Sequence, residues 1–212
     1  MKNILLFWIV FLLLSVEGCE KATQRLEDYF VDFATVKKNA NNTWFQLDNG
    51  RLLIPLETDY SGQEGQRVIL NYVFLNGDTV KINSVGNILT GIVQYEGFPE
   101  KLVKDPVKIQ SIWVGGDYLN VIIETEYHSK PHKVALLRNI SSPTVDLYFS
   151  HSREQDPPGY PQKIYASFLI SSLRTEKKPP ISFRLFIQTY DGLRELPFVL
   201  NTISLPKPIA GN

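Results

Sequence analysis

The sequence predicts an all-β protein, a small five-stranded barrel followed by a β-sandwich. Three observations lead there. From Tyr29 onward apolar residues recur with period two rather than 3.6. Gly, Asn, Asp and Pro turn signals punctuate the runs at short intervals. No long amphipathic helix separates the candidate strands, which disfavours a doubly wound parallel sheet.

The chain has 212 residues, with one Cys and one Met. Residues 1–18 read as an export signal. Lys2 supplies a positive charge, Ile4 to Leu14 is a run of eleven apolar residues, and Gly18 precedes Cys19. Eleven helical residues rise about 16 Å, short of a hydrocarbon core of roughly 30 Å, so the run is a signal rather than a membrane span. Val16-Glu17-Gly18-Cys19 resembles the lipobox of bacterial lipoproteins, with a branched aliphatic three residues before the cut and Cys just after it. That resemblance implies diacylglycerol on the Cys19 sulfur, cleavage before Cys19, and a cell-envelope location at a membrane outside the cytoplasm. Because Cys19 is the only Cys, an intrachain disulfide and any multi-Cys metal site are excluded.

Residues 19–28 are polar beyond Cys19 and read as a tether; residues 29–98 are assigned to the barrel. Tyr29 to Lys37 is the first candidate strand, rich in β-branched and aromatic residues. Trp44–Leu47 and Arg51–Leu56 flank Asp48-Asn49-Gly50, a turn whose Asn and Gly tolerate positive φ. Arg67 to Leu75 places Val68, Leu70, Tyr72 and Phe74 on one face, and Asn76-Gly77 turns the chain back through Thr79–Val85. Five strands in so short a span suit a barrel of the OB type.

Two prolines and alternating charges mark residues 99–108 as a linker, and residues 109–208 are assigned to the sandwich. There the stripes are Leu119, Val121 and Ile123; Val145, Leu147 and Phe149; Ile164, Ala166, Phe168 and Ile170; and Ile181, Phe183, Leu185 and Ile187. Gly115-Gly116-Asp117 and Ser129-Lys130-Pro131 are expected at hairpin turns. This spacing argues for a β-sandwich.

Several runs also carry a family resemblance: Leu47 to Leu52, Gly65 to Ile69, Asn87 to Thr90, Tyr118-Leu119-Asn120 after a Gly-Gly turn, and Leu147 to His151. Together they resemble the NigD-like family of bacterial lipoproteins. The resemblance implies an N-terminal OB-type domain and a C-terminal β-sandwich on a lipidated N-terminus. It brings no catalytic residues and no established molecular role.

The residues themselves favour binding over catalysis. His128 and His132 stand four apart, a metal spacing on a helix, but with Ser129-Lys130-Pro131 between them they are expected to be exposed turn residues. His151 is in phase with the Val145 stripe and is expected to be partly buried with a satisfied hydrogen bond. No nucleophile elbow, phosphate loop, HExxH or calcium loop is present in the sequence, and no cofactor is expected. Carboxylates carry no signature of their own. Glu57, Asp59 and Glu64 share a loop and Glu124 and Glu126 a strand face, which keeps an envelope glycan hydrolase as the weakest alternative.

The loop from Thr58 to Gly65 is a candidate ligand-contact loop, through Asp59, Tyr60 and Glu64, with Tyr60 able to stack on a sugar. Asp78-Thr79-Val80 resembles a short bacterial O-glycosylation acceptor, which makes Thr79 a candidate for modification. The basic segment Arg174 to Pro180 reads as a solvated loop. With 22 charges of each sign the net charge is zero, so nucleic acid is not an expected partner. The expected function is a non-enzymatic, lipid-anchored interaction module with a protein or glycan partner. The alternative that the family name suggests is self-protection against a bacteriocin.

Overall fold

The computed structural model describes residues 29–39 and 42–202. The lipobox with Cys19 therefore lies outside the described residues. The first five strands are β1 (Phe30–Lys38), β2 (Thr43–Leu47), β3 (Leu52–Pro55), β4 (Arg67–Asn76) and β5 (Thr79–Asn87). They close into a barrel in the order β1-β2-β3-β5-β4. Its interior is Ala34, Val36, Phe45, Leu47, Leu53, Val68, Leu70, Tyr72 and Val80, the inward half of each alternating strand. Gly77 takes φ +57° in the β4–β5 hairpin, a conformation that an L side chain resists. Leu75 is the extra residue of a bulge there, since Phe74 pairs with Val80 while Asn76 pairs with Thr79.

Eight further strands form one sheet: β6 (Leu89–Gln94), β7 (Lys108–Gly115), β8 (Tyr118–Tyr127), β9 (Lys133–Arg138), β10 (Val145–Ser152), β11 (Tyr160–Leu169), β12 (Ile181–Thr189) and β13 (Gly192–Leu200). The order is β13-β12-β10-β9-β6-β11-β8-β7, and the end strands β13 and β7 approach each other, so the sheet folds over on itself. The four apolar stripes meet between the layers. Leu119, Val121, Ile123, Leu147, Ala166, Ile170 and Leu185 are wholly buried there, with Val145, Phe149, Phe168, Ile181, Phe183 and Ile187 nearly so. A single helical turn, α1 (Leu173–Glu176), is fastened by buried Leu173 and by an Arg138–Glu176 ion pair at 2.9 Å.

Two placements differ from the sequence reading. The barrel closes at β5, and β6, inside the segment assigned to the barrel, pairs in parallel with β11 and with β9. The expected linker 99–108 is thus part of the crossover between β6 and β7. The physical reason is closure itself: a five-stranded barrel has no free edge for a sixth strand. The second difference is Ser129-Lys130-Pro131. The strands that it joins are not partners, because β8 pairs with β7 and β11 while β9 pairs with β10 and β6. The segment is an arch from one layer to the other, and Asp156 shapes it by accepting the backbone N–H groups of His128 (2.7 Å), Ser129 (3.0 Å) and Lys130 (2.9 Å).

Candidate binding groove between barrel and sandwich

The two domains are joined through a charged residue with almost no contact with water. Arg67 opens β4, is 1% exposed, and points out of the barrel into the sandwich. Its guanidinium makes four polar contacts: Nε donates to Ser167 Oγ (3.1 Å), Nη1 to Thr35 Oγ1 (3.1 Å) and Asp48 Oδ1 (2.7 Å), and Nη2 to Asn120 Oδ1 (3.0 Å). The Tyr118 ring lies 4.1 Å from the guanidinium carbon. The partners hold one another as well: Asn120 Nδ2 donates to Asp48 Oδ2 at 2.6 Å, and Ser167 Oγ donates to Asn120 Oδ1 at 2.7 Å. Burial pushes the Asp48 carboxyl above its ordinary value, against the pull of Arg67 and Asn120. A planar fork with five N–H donors suits such a site where a lysine would leave partners unmet. Beside the polar knot, Phe33 packs on Trp113 with ring centroids 5.0 Å apart.

Close approach of the backbone completes the joint. The Asp48 carboxylate sits against Gly115, where any Cβ would collide with it. Next to this seam runs a groove of about 430 Å³, with Asp48, Asn49, Asp117, Tyr118, Arg174 and Asn201 among its lining residues. Arg174 bonds Asp117 at 2.6 Å and the Asn201 carbonyl at 2.7 Å, and its Nε is buried without a partner. Arg174, read from the sequence as part of a solvated loop, is half-buried and helps to form this wall. The groove presents acid, amide, guanidinium and phenol groups on walls that the Arg67 knot holds in place, a surface suited to hydrogen-bonding an extended polar ligand.

The sequence-predicted residues are not brought together at this groove. Tyr60 folds back on the barrel, its ring 6.0 Å from Phe45 and its hydroxyl donating to Asn87 Oδ1 at 2.8 Å. Glu64 accepts from the Lys38 backbone N–H and lies 3.7 Å from Lys37 Nζ, while Lys38 Nζ donates to the Gly62 carbonyl at 2.7 Å. The loop from Thr58 to Gly65 is tied to the barrel, with Asp59 left exposed on it. Thr79 lies half-buried at the start of β5, opposite Ile54 and Asn76. Glu124 is engaged by Lys108 and Gln110, each at 3.1 Å.

The histidines depart furthest from expectation. His132, expected to be exposed, is buried because the arch carries it between the layers, where its Nδ1 lies 3.0 Å from His151 Nε2. His151, expected to be partly buried, is wholly buried at 1% exposure, and its Nδ1 donates to the Asp105 carbonyl at 3.0 Å, supplying the expected hydrogen bond. A carbonyl only accepts, so His151 Nε2 is the acceptor and His132 Nδ1 the donor. Nε2 of His132 then faces Asp156 Oδ2 at 3.5 Å. Burial holds His151 below its ordinary value, with the neighbouring His132 adding to the effect. Burial raises Asp156, but the three arch N–H groups outweigh it and keep that carboxyl far below the usual range. Among the described residues, no group of three or more His, Cys, Asp and Glu is placed to hold a metal ion.

Comparison with known proteins fits this architecture. The model of the NigD-like C-terminal β-sandwich domain matches residues 91–198, and that of the NigD-like N-terminal OB domain matches residues 33–89. The chain belongs to the NigD-like family. The two matches meet at β6, where the barrel ends and the folded-over sheet begins. Among solved structures, this NigD-like chain is similar to a Parabacteroides distasonis protein described as toxin-related, with 28% identity and a TM-score of 0.74 over 82% of this chain and 94% of that one. It also shares its fold with a NigD-like immunity protein from Bacteroides caccae, at 23% identity and a TM-score of 0.64 over 80% and 97% of the two chains. A Bacteroides fragilis protein described as a lipoprotein has the same fold at 12% identity, with a TM-score of 0.62 over 85% and 100%. No curated protein matches the chain.

Proposed function

We propose that this NigD-like chain is a lipid-anchored interaction module of the bacterial cell envelope, held at the membrane through acylated Cys19, and that it works by binding rather than by catalysis. The observation that carries this reading is the groove at the Arg67 seam. Two small domains joined by a hinge would present a shifting surface, whereas a buried ion pair, shared amides and an aromatic contact make one surface of them. The ligand class that suits the groove is an extended polar chain, a peptide or a glycan strand. The Bacteroides fragilis neighbour described as a lipoprotein supports the anchor.

Crosslinking and affinity capture from intact cells tests the reading. The native chain is expected to bring down a protein or glycan partner, and an Asn49→Trp variant, which fills the groove, is expected to lose it. Recovering neither partner from the native chain overturns the binding reading. A second reading is bacteriocin self-protection, favoured by the neighbour called a NigD-like immunity protein. Raised toxin sensitivity in a deletion strain, restored by the wild-type chain, would support it; unchanged sensitivity would sink it.

A further inference from the structure

The barrel carries exposed apolar side chains at the end where the tether joins it. Tyr29 is 65% exposed and Phe30 45%; Leu75, the bulged residue of the β4–β5 hairpin, is 49% exposed, and Ile54 on β3 is 44%. The pairing brings them to one end. Phe30 pairs with Tyr72 near the hairpin end of β4, Leu75 stands at the tip, and Ile54 pairs with Thr79 immediately after it. Phe30 packs against Phe74 with ring centroids 5.2 Å apart, and Arg51 lies 4.1 Å over the Phe74 ring. Leu52 on β3 and Leu56, just past its end, are exposed as well. A barrel closed around its own core gains nothing from such residues at its rim, and several together on a small domain mark a contact surface.

Arg51 makes this rim electrically quiet. Its Nε donates to Asp78 Oδ1 at 2.8 Å and its Nη2 to the Gly77 carbonyl at 3.0 Å, so the cation at the tip is neutralised in place. Aromatic and aliphatic side chains around a neutralised charge suit the interfacial layer of a bilayer, where Tyr and Phe settle at headgroup depth.

The chain outside the described barrel says what covers the patch. Ten residue steps separate Cys19 from Tyr29. Ten steps of chain span at most about 35 Å. An anchor at Cys19 therefore confines the barrel to the membrane surface and delivers it by the strand end that carries the patch. Confinement on that scale raises the local concentration so far that a weak contact is occupied most of the time.

We propose that the β1-start and β4–β5 hairpin end of the barrel docks into the phospholipid interface of the membrane that carries the anchor, with Tyr29, Phe30, Ile54 and Leu75 inserted. This rests on the lipid-anchored reading above. Docking fixes the orientation of the molecule, with the hairpin end down and the opposite end of β1, about 26 Å away along the strand, directed outward.

The acylated chain allows a direct test, because with the Cys19 sulfur blocked an introduced Cys is the only thiol. The full chain is purified from membranes and reconstituted in phosphatidylcholine vesicles, with an environment-sensitive fluorophore on Asn76→Cys at the hairpin tip or on Gln63→Cys at the far end. The expected result is quenching of the residue-76 probe by nitroxide lipids and none at residue 63. That contrast should persist in high salt and disappear with Leu75→Glu combined with Ile54→Glu, both exposed positions whose change leaves the barrel core intact. Equal quenching at the two sites on vesicle-bound protein overturns the docking alone. Protein that fails to float with the vesicles overturns the anchor and the docking together.

Discussion

Replacing Arg67 by Ala is the most demanding perturbation that the structure suggests. The substitution removes four polar contacts and the Tyr118 stacking, and leaves the Asp48 carboxylate with the Asn120 amide as its remaining side-chain partner in the knot. Removing one member of a buried ion pair costs about 3–5 kcal/mol, most of it from the charge left behind. Asp48 retains 15% side-chain exposure and can recover some hydration, which places the expected cost at the lower end, about 3 kcal/mol. For a chain of this size that corresponds to a fall in Tm of roughly 6–12 °C. Neutralising the orphan should help, so Arg67→Ala with Asp48→Asn is expected to be less destabilised than the sum of the two single variants. Denaturant unfolding of the four proteins in the cycle measures both quantities. A loss below about 1 kcal/mol for Arg67→Ala, or strict additivity, would refute the claim that this pair locks the domains.

Two further outcomes follow from the same reasoning. The His151 value is depressed by burial and by His132, so the unfolded chain takes up a proton before the folded one does as pH falls. Stability conferred by neutral His151 is therefore complete above about pH 6.5 and declines below it, at up to about 1.4 kcal/mol per pH unit, until the folded value is passed. Asp156, also depressed, adds a second decline that starts near pH 4 and continues downward. Thermal melts from pH 8 to pH 3 should show the first decline in the native protein and a flatter profile between pH 6.5 and pH 5 in His151→Asn. A Tyr60→Phe variant loses the hydroxyl bond to Asn87 and should cost about 0.5–1.5 kcal/mol in denaturant unfolding, whereas a loop free of the barrel would register no loss.

The legible part of the fold was the part written locally. Stripes such as Val145-Leu147-Phe149 and Ile181-Phe183-Leu185-Ile187 alternate because each strand has one face in the core, and a period of two survives in the sequence whatever the pairing order. Strand β6 left no such trace. Of its six residues only Val93 is buried, although the strand sits in the middle of the sheet order. The arch at Ser129-Lys130-Pro131 has the composition of a hairpin turn. What makes it an arch is the carboxylate of Asp156, more than twenty positions away, and no local reading supplies that. Arg67 was hidden for the same reason. An Arg at the head of a strand reads as surface, and its partners Asn120 and Ser167 lie 53 and 100 positions downstream. The Asp48-Asn49-Gly50 turn was visible as a turn, but its role as a wall of the groove depends on glycines near residue 115 that belong to the other domain.

The position of β6 has a consequence for how the chain comes to be folded. All five barrel strands precede it, so the barrel can close as soon as residue 87 has left the ribosome. Strand β6 then waits. Its parallel partners are residues 166–169 and 136–137, the first of them 77 positions on from Leu89. Long loops of this kind close slowly, because their entropy is lost before any contact compensates for it. The order of synthesis thus creates an interval in which a finished barrel carries an unfinished strand with both hydrogen-bonding edges open. Exposed edges of that kind recruit neighbouring chains. Crowded production of this protein should therefore lose material to aggregates nucleated at residues 89–94 rather than within the barrel, and a chaperone that recognises extended strands would find its target there.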